Sequence, residues 1–337
     1  MRDKIILLGH GSGGQMMSDL INDVILPNIY TDGFFPEQED AAFVDAPPGR
    51  LLFTTDSYVV DPFIFPGGNI GDLAVNGTIN DLAMRGGTPI AISLGFILEE
   101  GLFIEDLKTV LRSIGCAARD AGAHIVCGDT KVVPRGRGDK IYINTSGVGA
   151  ARDGLDIKGA NARAGDVLII NGTIGDHGVA VLSKREGMRF ETPAVSDTAA
   201  LHTLVDDLLN SGVETHTLRD PTRGGLATVV VEIAEAAGVC VKLDERSIPV
   251  SRAVAGACEI LGLDPLLVAN EGKVIAVVAG KDADKALSVM RAHPLGREAA
   301  IIGEVTQSPA GRVTMTSFIG GSRIINRLPG ELLPRIC

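Results

Sequence analysis

The 337-residue chain has no tryptophan, and aromatic residues make up only 4% of it. Its cores must therefore be built from Ala, Val, Ile and Leu, a composition that suits α/β layers. Positive charge is also in deficit. Thirty-one Lys and Arg against 42 Asp and Glu leave a formal net charge of −11, which argues against a nucleic-acid or anionic-membrane partner. No apolar run approaches the length of a membrane span, and the opening Met1-Arg2-Asp3-Lys4-Ile5 lacks the apolar stretch of a signal peptide. The five cysteines are odd in number and show no C-x-x-C pairing, so neither a disulfide framework nor a close metal-ligand pair is indicated. A reduced, cytoplasmic protein is expected. Cys116, Cys127, Cys240 and Cys258 sit in apolar contexts and are expected to be small buried hydrophobes.

What is abundant is glycine, 42 residues of it, much in short clusters. The length exceeds one typical core, and strands and helices interleave without a strict βαβ rhythm. The reading is an α+β chain of two domains, residues 1–155 and 156–325, followed by a flexible segment 326–337. Residues 152–165, rich in glycine and charge, mark the boundary. Helical periodicity is expected at 69–85, 103–121, 226–237 and 283–292, and strands at 51–55, 89–97, 124–127, 140–149, 167–171, 239–243, 273–278 and 299–305.

Chemistry concentrates at a few places. Gly9-His10-Gly11-Ser12-Gly13-Gly14 lies between an apolar run and a helical pattern. It lacks the ending of a Walker loop and the second strand of a Rossmann unit, leaving an amide-rich loop able to wrap phosphates or a plain tight turn. Asp40, Asp56, Asp81 and Asp129 each fall at the edge of an expected element, where carboxylates can converge on one cleft. Convergence would demand cations, and hard oxygen ligands select Mg²⁺, which gathers phosphate oxygens. Arg219-Asp220-Pro221-Thr222-Arg223-Gly224-Gly225 is a turn opening a helix, with a carboxylate, guanidinium groups and free amides. His10 suits phosphate contact by its place in the glycine loop. His124, His177, His202, His216 and His293 have no metal-ligand spacing and are expected to be structural or exposed. Leu332-Leu333-Pro334-Arg335-Ile336-Cys337 reads as a mobile segment that carries a thiol.

Glu39-Asp40-Ala41-Ala42, Thr54-Thr55-Asp56-Ser57, Ile79-Asn80-Asp81-Leu82-Ala83-Met84-Arg85-Gly86-Gly87, Gly128-Asp129-Thr130 and Asp220-Pro221-Thr222-Arg223-Gly224-Gly225-Leu226 resemble the ATP-binding signatures of one superfamily. It includes aminoimidazole ribonucleotide synthetase, selenophosphate synthetase and thiamine-monophosphate kinase. Within it, His10-Gly11-Ser12-Gly13-Gly14 and Pro334-Arg335-Ile336-Cys337 resemble the HypE-like maturation factors of [NiFe]-hydrogenases. The resemblance implies two α/β domains, the first completing a β-barrel on homodimerisation, with Mg²⁺ held by Asp40, Asp56, Asp81 and Asp129. It implies ATP contacts from His10, Gly11, Ser12, Gly13, Gly14, those four aspartates, Asp220 and Arg223. It further implies that a HypF-like carbamoyltransferase loads Cys337, that ATP drives dehydration of the S-carboxamide to a thiocyanate, and that Lys131 and Glu271 serve that reaction. A HypC/HypD-like iron-cyanide assembly complex would receive the product. Two other readings stay open: a small-molecule kinase or synthetase of the superfamily, and a nucleotide-binding carrier or scaffold without turnover.

Overall fold

The structure, a computed structural model, describes residues 4–30, 39, 41–188, 193–327, 330 and 333–337. The first helical stretch comprises α1 (Gln15–Leu20), a wide π turn over Ile21–Ile25 and α2 (Leu26–Ile29). Pro27 has no N–H for the carbonyl four residues back, and the helix widens just before it. Then come β1 (Leu51–Tyr58), the short hairpin of β2 (Ile64–Phe65) and β3 (Gly68–Asn69), α3 (Ile70–Met84) and β4 (Thr88–Glu99). The domain closes with α4 (Ile104–Asp120), β5 (His124–Val133) and β6 (Ile141–Ala150).

These strands form a four-stranded sheet in the order β1-β6-β4-β5, with β1 and β5 at its two edges. Ile92, Leu94, Phe96 and Leu98 alternate along β4 and point to the face covered by α3 and α4. In α4 the buried Ile104, Leu107, Val110, Leu111 and Ile114 recur at helical spacing and form its inner stripe. Asn69 starts α3 with a capping box, its side chain accepting from Gly71 N at 2.8 Å while Asp72 accepts the Asn69 amide at 2.7 Å. The opposite face of the sheet presents Phe53 and Ile97, 71% and 44% exposed.

The second domain contains β7 (Asp166–Ile170), α5 (Asp176–Arg185), α6 (His202–Asn210), β8 (Thr215–Arg219), α7 (Gly225–Ala237) and β9 (Cys240–Asp244). It continues with α8 (Arg252–Leu261), β10 (Ile275–Ala279), α9 (Ala283–Ala292), β11 (Ala300–Thr306), β12 (Arg312–Thr316) and β13 (Ser322–Ile325). Its seven strands run β13-β12-β9-β11-β7-β10-β8. Every residue of β10 is buried, because α7 packs on one face of the sheet and α6 and α9 on the other. Asn80 of α3 ties the domains together, donating to Ala199 O at 3.0 Å and accepting from Leu201 N at 2.8 Å.

The architecture is the expected mixed α/β pair, with differences in detail. β8 was not foreseen because its centre is polar. His216 and Thr217 are nonetheless buried, His216 pairing with Asp166 at 2.8 Å and Thr217 donating to Lys158 O at 2.9 Å. β12, β13 and α8 are further elements beyond those expected from periodicity. β1 and β5 run past their expected ends, so Asp56 and Asp129 lie inside strands, and Asp81 lies inside α3. Cys240 and Cys258 are buried as expected, whereas Cys116 and Cys127 are exposed. The first sits on the outer side of α4, and the second on the open face of β5, where it pairs with Ser93 across a register shift. No helix among the described residues is long and apolar enough to cross a membrane.

Candidate functional site

A cavity of about 300 Å³ opens between the domains and is lined by Asp56, Asp81, Asp220, Arg223, Glu271 and Cys337, among others. Asp56 reaches it because, within β1, it shares a face with Thr54 and Tyr58 and points toward α3. Asp81 comes from the last turns of α3 and accepts the Thr54 hydroxyl at 2.5 Å. Tyr58 lies across α3 at Gly77, where a Cβ would stand 2.2 Å from the phenol oxygen, and donates to Asp56 at 3.3 Å. Glycine at position 77 is required by that approach.

The second domain supplies the other wall. The turn after β8 carries Asp220 and Arg223 and leads into α7. Asn270 anchors that turn, donating to Pro221 O at 2.7 Å and accepting from Gly175 N at 2.7 Å. Glu271 follows directly, and Asp197 fixes its backbone by accepting Glu271 N at 3.1 Å and Gly272 N at 3.2 Å. Asp197 is itself neutralised by Lys273 at 2.9 Å, a pair with almost no exposure. Glu271 is buried, and its Oε1 has no hydrogen-bond partner among the described residues.

These carboxyls are electrostatically uncomfortable. Burial pushes Asp56 up to about 6, with Asp81 adding repulsion that Tyr58 and Arg223 partly relieve. Burial pushes Asp220 up to about 7, again with Asp81 adding to it. Glu271 is held well above the usual carboxylate range by burial first, then by Asp197, Asp220 and Asp56. Such a set favours a cation or a proton in its midst. Among the described residues, no three His, Cys, Asp or Glu side chains form a ready-made metal site.

The structure does not bring all the sequence-selected residues to this cavity. Asp129 and Lys131 share the open face of β5, the edge opposite β1, and pair with each other at 2.6 Å. In the register, Ser57, Asn144, Gly95 and Asp129 align across the four strands, whereas Asp56 belongs to the neighbouring row that faces the helices. Three strand spacings of ~4.8 Å put Asp129 roughly 14 Å from β1. Within one chain, Lys131 therefore does not stand beside Cys337. The glycine segment packs against the same edge strand, on Val132, whose side chain points to the helix-covered face rather than to the open one. Gly11 packs so tightly on β5 that a Cβ would stand 2.5 Å from Val132 N. His10 is buried and its Nδ1 accepts the Leu7 amide at 2.9 Å, which fixes the turn Leu8–Gly11. Ser12 caps the same turn through Gly9 O at 3.0 Å, and Gly13 and Gly14 lead into α1. Asp40 lies outside the described residues.

The segment read as mobile is docked in its described part. Ile336 is buried and half-buried Cys337 lines the cavity, while Val59 N donates to Cys337 O at 3.1 Å and Asp61 N to Arg335 O at 3.2 Å. His177, expected to be structural or exposed, is fully buried, with Nε2 2.8 Å from Ile336 O. Its partner lies 159 positions away, a contact no local pattern announces. Tyr58 is a further residue of the site, and its spacing of two from Asp56 places both on one strand face.

Comparison with known proteins gives concordant results. Residues 38–151 match the family described as AIR synthase related protein, N-terminal domain, and residues 163–316 match its C-terminal domain. A carbamoyl dehydratase HypE of Rhizobium leguminosarum bv. viciae is 51% identical over 331 residues, covering 98% of this chain and 94% of that protein. A crystal structure of hydrogenase maturation protein HypE in complex with ATP superposes with a TM-score of 0.94 at 46% identity, covering 98% of this chain and 99% of that one. The HypE chain of a HypE–HypF complex gives 0.80 at 48% identity, covering 85% and 93%.

Proposed function

The chain belongs to the HypE carbamoyl dehydratase family of AIR synthase related proteins, and from that membership we propose that it converts an S-carboxamide on Cys337 to a thiocyanate at the expense of ATP, for hydrogenase maturation. The observation that carries this reading is Cys337 itself, which lines one cavity with Glu271 and three aspartates. Loss of water from a primary amide needs the oxygen turned into a leaving group, which phosphorylation by ATP supplies. The amide nitrogen must also lose both protons. Glu271, buried beside the thiol cavity with a free oxygen, is the group placed to take them. Arg223 offers its cation to the phosphate. A kinase or synthetase acting on a free small molecule would leave no covalent change on the chain. Intact-mass analysis after incubation with a HypF-like carbamoyltransferase, carbamoyl phosphate and ATP tests the point. A carbamoyl increment on Cys337 followed by loss of one water is expected; an unmodified Cys337 overturns the reading.

Mg²⁺ suits the cavity, since its donors are hard carboxylate oxygens that repel one another. Because no three of the described carboxylates converge on one point, Mg²⁺ would take one or two ligands from Asp56, Asp81 and Asp220 and the rest from nucleotide phosphates and water, with Asp40 as the ligand the family resemblance adds. The folded-state values of Asp56 and Asp220 exceed the unfolded carboxylate value, so both groups bind protons more tightly when folded. Their contribution is intact below about pH 4 and is lost as pH rises through about 6 and about 7. In metal-free protein the free energy of unfolding should therefore fall between about pH 4 and about pH 7, by an amount on the order of 1–2 kcal/mol, and the melting temperature with it. Asp220→Asn should flatten that fall, and Mg²⁺ should stabilise the wild type more at the higher pH. A fall of equal size in the variant sinks the assignment.

The division of residues between two sheet faces fits a homodimer. A barrel closed from two four-stranded sheets joins the edge carrying Asp129 in one copy to the edge carrying Asp56 in the other. It also covers Phe53 and Ile97, and gathers the glycine turn, Lys131 and Asp129 toward a nucleotide shared between copies. Light scattering should report a dimer at micromolar concentration, and Phe53→Glu, with a charge on the covered face, should give monomer. A monomeric wild type counts against the barrel. Compartment and onward partner follow from the same reading: cytoplasm, and a HypC/HypD-like iron-cyanide assembly complex.

A further inference from the structure

We infer that Arg185 and His177, from the two ends of α5, are positioning residues that latch segment 333–337 into the cavity by its backbone, setting how long Cys337 resides there. The inference rests on the dehydratase reading above and adds to it the device that holds the substrate-bearing chain. One guanidinium makes three of the contacts. Arg185 Nε donates to Asp61 O at 2.7 Å, Nη1 to Pro334 O at 2.8 Å and Nη2 to Arg335 O at 2.6 Å. Its planar fork offers five donors, and three of them close a bridge between the chain leaving β1 and the docked segment.

His177 makes the next contact along. Ile336 O can only accept, so Nε2 carries the proton, at 2.8 Å. Nδ1 then accepts, and the Ser196 hydroxyl stands 2.8 Å away as its donor. The edge of Phe65 closes on the ring, with centroids 5.3 Å apart and planes at 88°. Burial lowers the basicity of His177, which keeps the ring neutral and this tautomer in place.

Together with Val59 N on Cys337 O and Asp61 N on Arg335 O, every one of these bonds ends on a main-chain oxygen. The two α5 side chains thus grip the segment by its backbone, so their hold does not require a particular group on the sulfur. The docked segment is also not wholly relaxed. Arg335 sits at φ +55°, a left-handed conformation that non-glycine residues adopt reluctantly. Hydrogen bonds from α5 offset that strain while the thiol is inside, and their loss releases the segment for loading by the carbamoyltransferase.

The test compares full-length wild type, Arg185→Ala, Arg185→Lys, His177→Ala and His177→Gln. Three quantities are read: alkylation of Cys337 by iodoacetamide, carbamoyl loading, and single-turnover conversion of the loaded carboxamide. Each lost hydrogen bond from a charged donor is worth about tenfold or more, so Arg185→Ala should alkylate at least about tenfold faster and convert at least about tenfold more slowly. Loading should be unchanged or faster. Arg185→Lys should fall between, and His177→Gln, which keeps a donor near Nε2, should stay closer to wild type than His177→Ala. Should His177→Ala fail to fold, the half-buried Arg185 series decides alone. Equal alkylation in wild type and Arg185→Ala overturns the latch, even if conversion slows. If wild type loads carbamoyl but never yields thiocyanate, the dehydratase reading fails, while the alkylation rates still decide the latch.

Discussion

Replacing Cys337 by alanine should abolish thiocyanate formation completely while leaving fold and ATP binding in place. The substitution removes one sulfur from a half-buried position at the mouth of the cavity. Ile336 keeps its buried site, and the contacts from His177 and Arg185 run to main-chain oxygens of residues 334–336, while Arg335 pairs with Asp139 at 2.9 Å. A change of this kind alters stability by no more than about 0.5 kcal/mol. Catalysis, by contrast, loses the atom that bears the substrate, so there is no residual rate to measure. The exposed Cys116 and Cys127 are internal controls, because each could take up carbamoyl if loading were merely a matter of thiol access. Intact mass after loading, with the modified peptide located, checks the outcome. A variant that still accumulates thiocyanate removes Cys337 from the mechanism.

Much of this fold could be read from the residue pattern, for a physical reason. The stripe of Ile104, Leu107, Val110, Leu111 and Ile114 has one burial solution as a helix, and the alternation from Ile92 to Leu98 has one as a strand. β8 was invisible because His216 and Thr217 satisfy their polar groups through residues far along the chain. The site was legible in its membership but not in its partition. Asp56 and Asp129 look alike in sequence, each an acid beside a β-type run. Spacing of two does tell that Tyr58 shares the face of Asp56 and that Lys131 shares the face of Asp129. It cannot tell that the strands are opposite edges of one sheet, nor that the two pairs point to opposite sides. Pairing order is set by tertiary packing, and a local pattern does not contain it. The same holds for the thiol: its position at the end of Pro334-Arg335-Ile336-Cys337 drew attention to it, while His177 and Arg185, which seat it, lie about 150 positions earlier.

Glu271→Gln should slow conversion of the loaded carboxamide by about 10²–10⁴-fold, the usual range for loss of a positioned general base. Glutamine keeps the shape of the side chain and can still accept one hydrogen bond, but it cannot remove a proton. Backbone placement survives, since Asp197 holds residues 271 and 272 through their amides, and Asn270 holds the neighbouring turn. Stability should rise slightly if it changes, because burial and three nearby carboxylates disfavour the ionised form that the substitution removes. The same environment predicts the pH dependence. Glu271 is held well above the usual carboxylate range, by burial first and then by Asp197, Asp220 and Asp56, so its ionised fraction grows at higher pH than that of an ordinary carboxylate. Only the ionised form accepts a proton, so the single-turnover rate of wild type should climb as pH rises toward that raised value. A base with a raised value is also a stronger one once ionised, and Arg223, whose cation already lowers it in part, helps to reach that state. In Glu271→Gln the climb should vanish, leaving a low rate with a flat profile, and carbamoylated protein should accumulate in the mass spectrum. Removing the acid while keeping the wild-type slope would assign the proton transfer to another group in the cavity, with Asp220, at about 7, the next to replace.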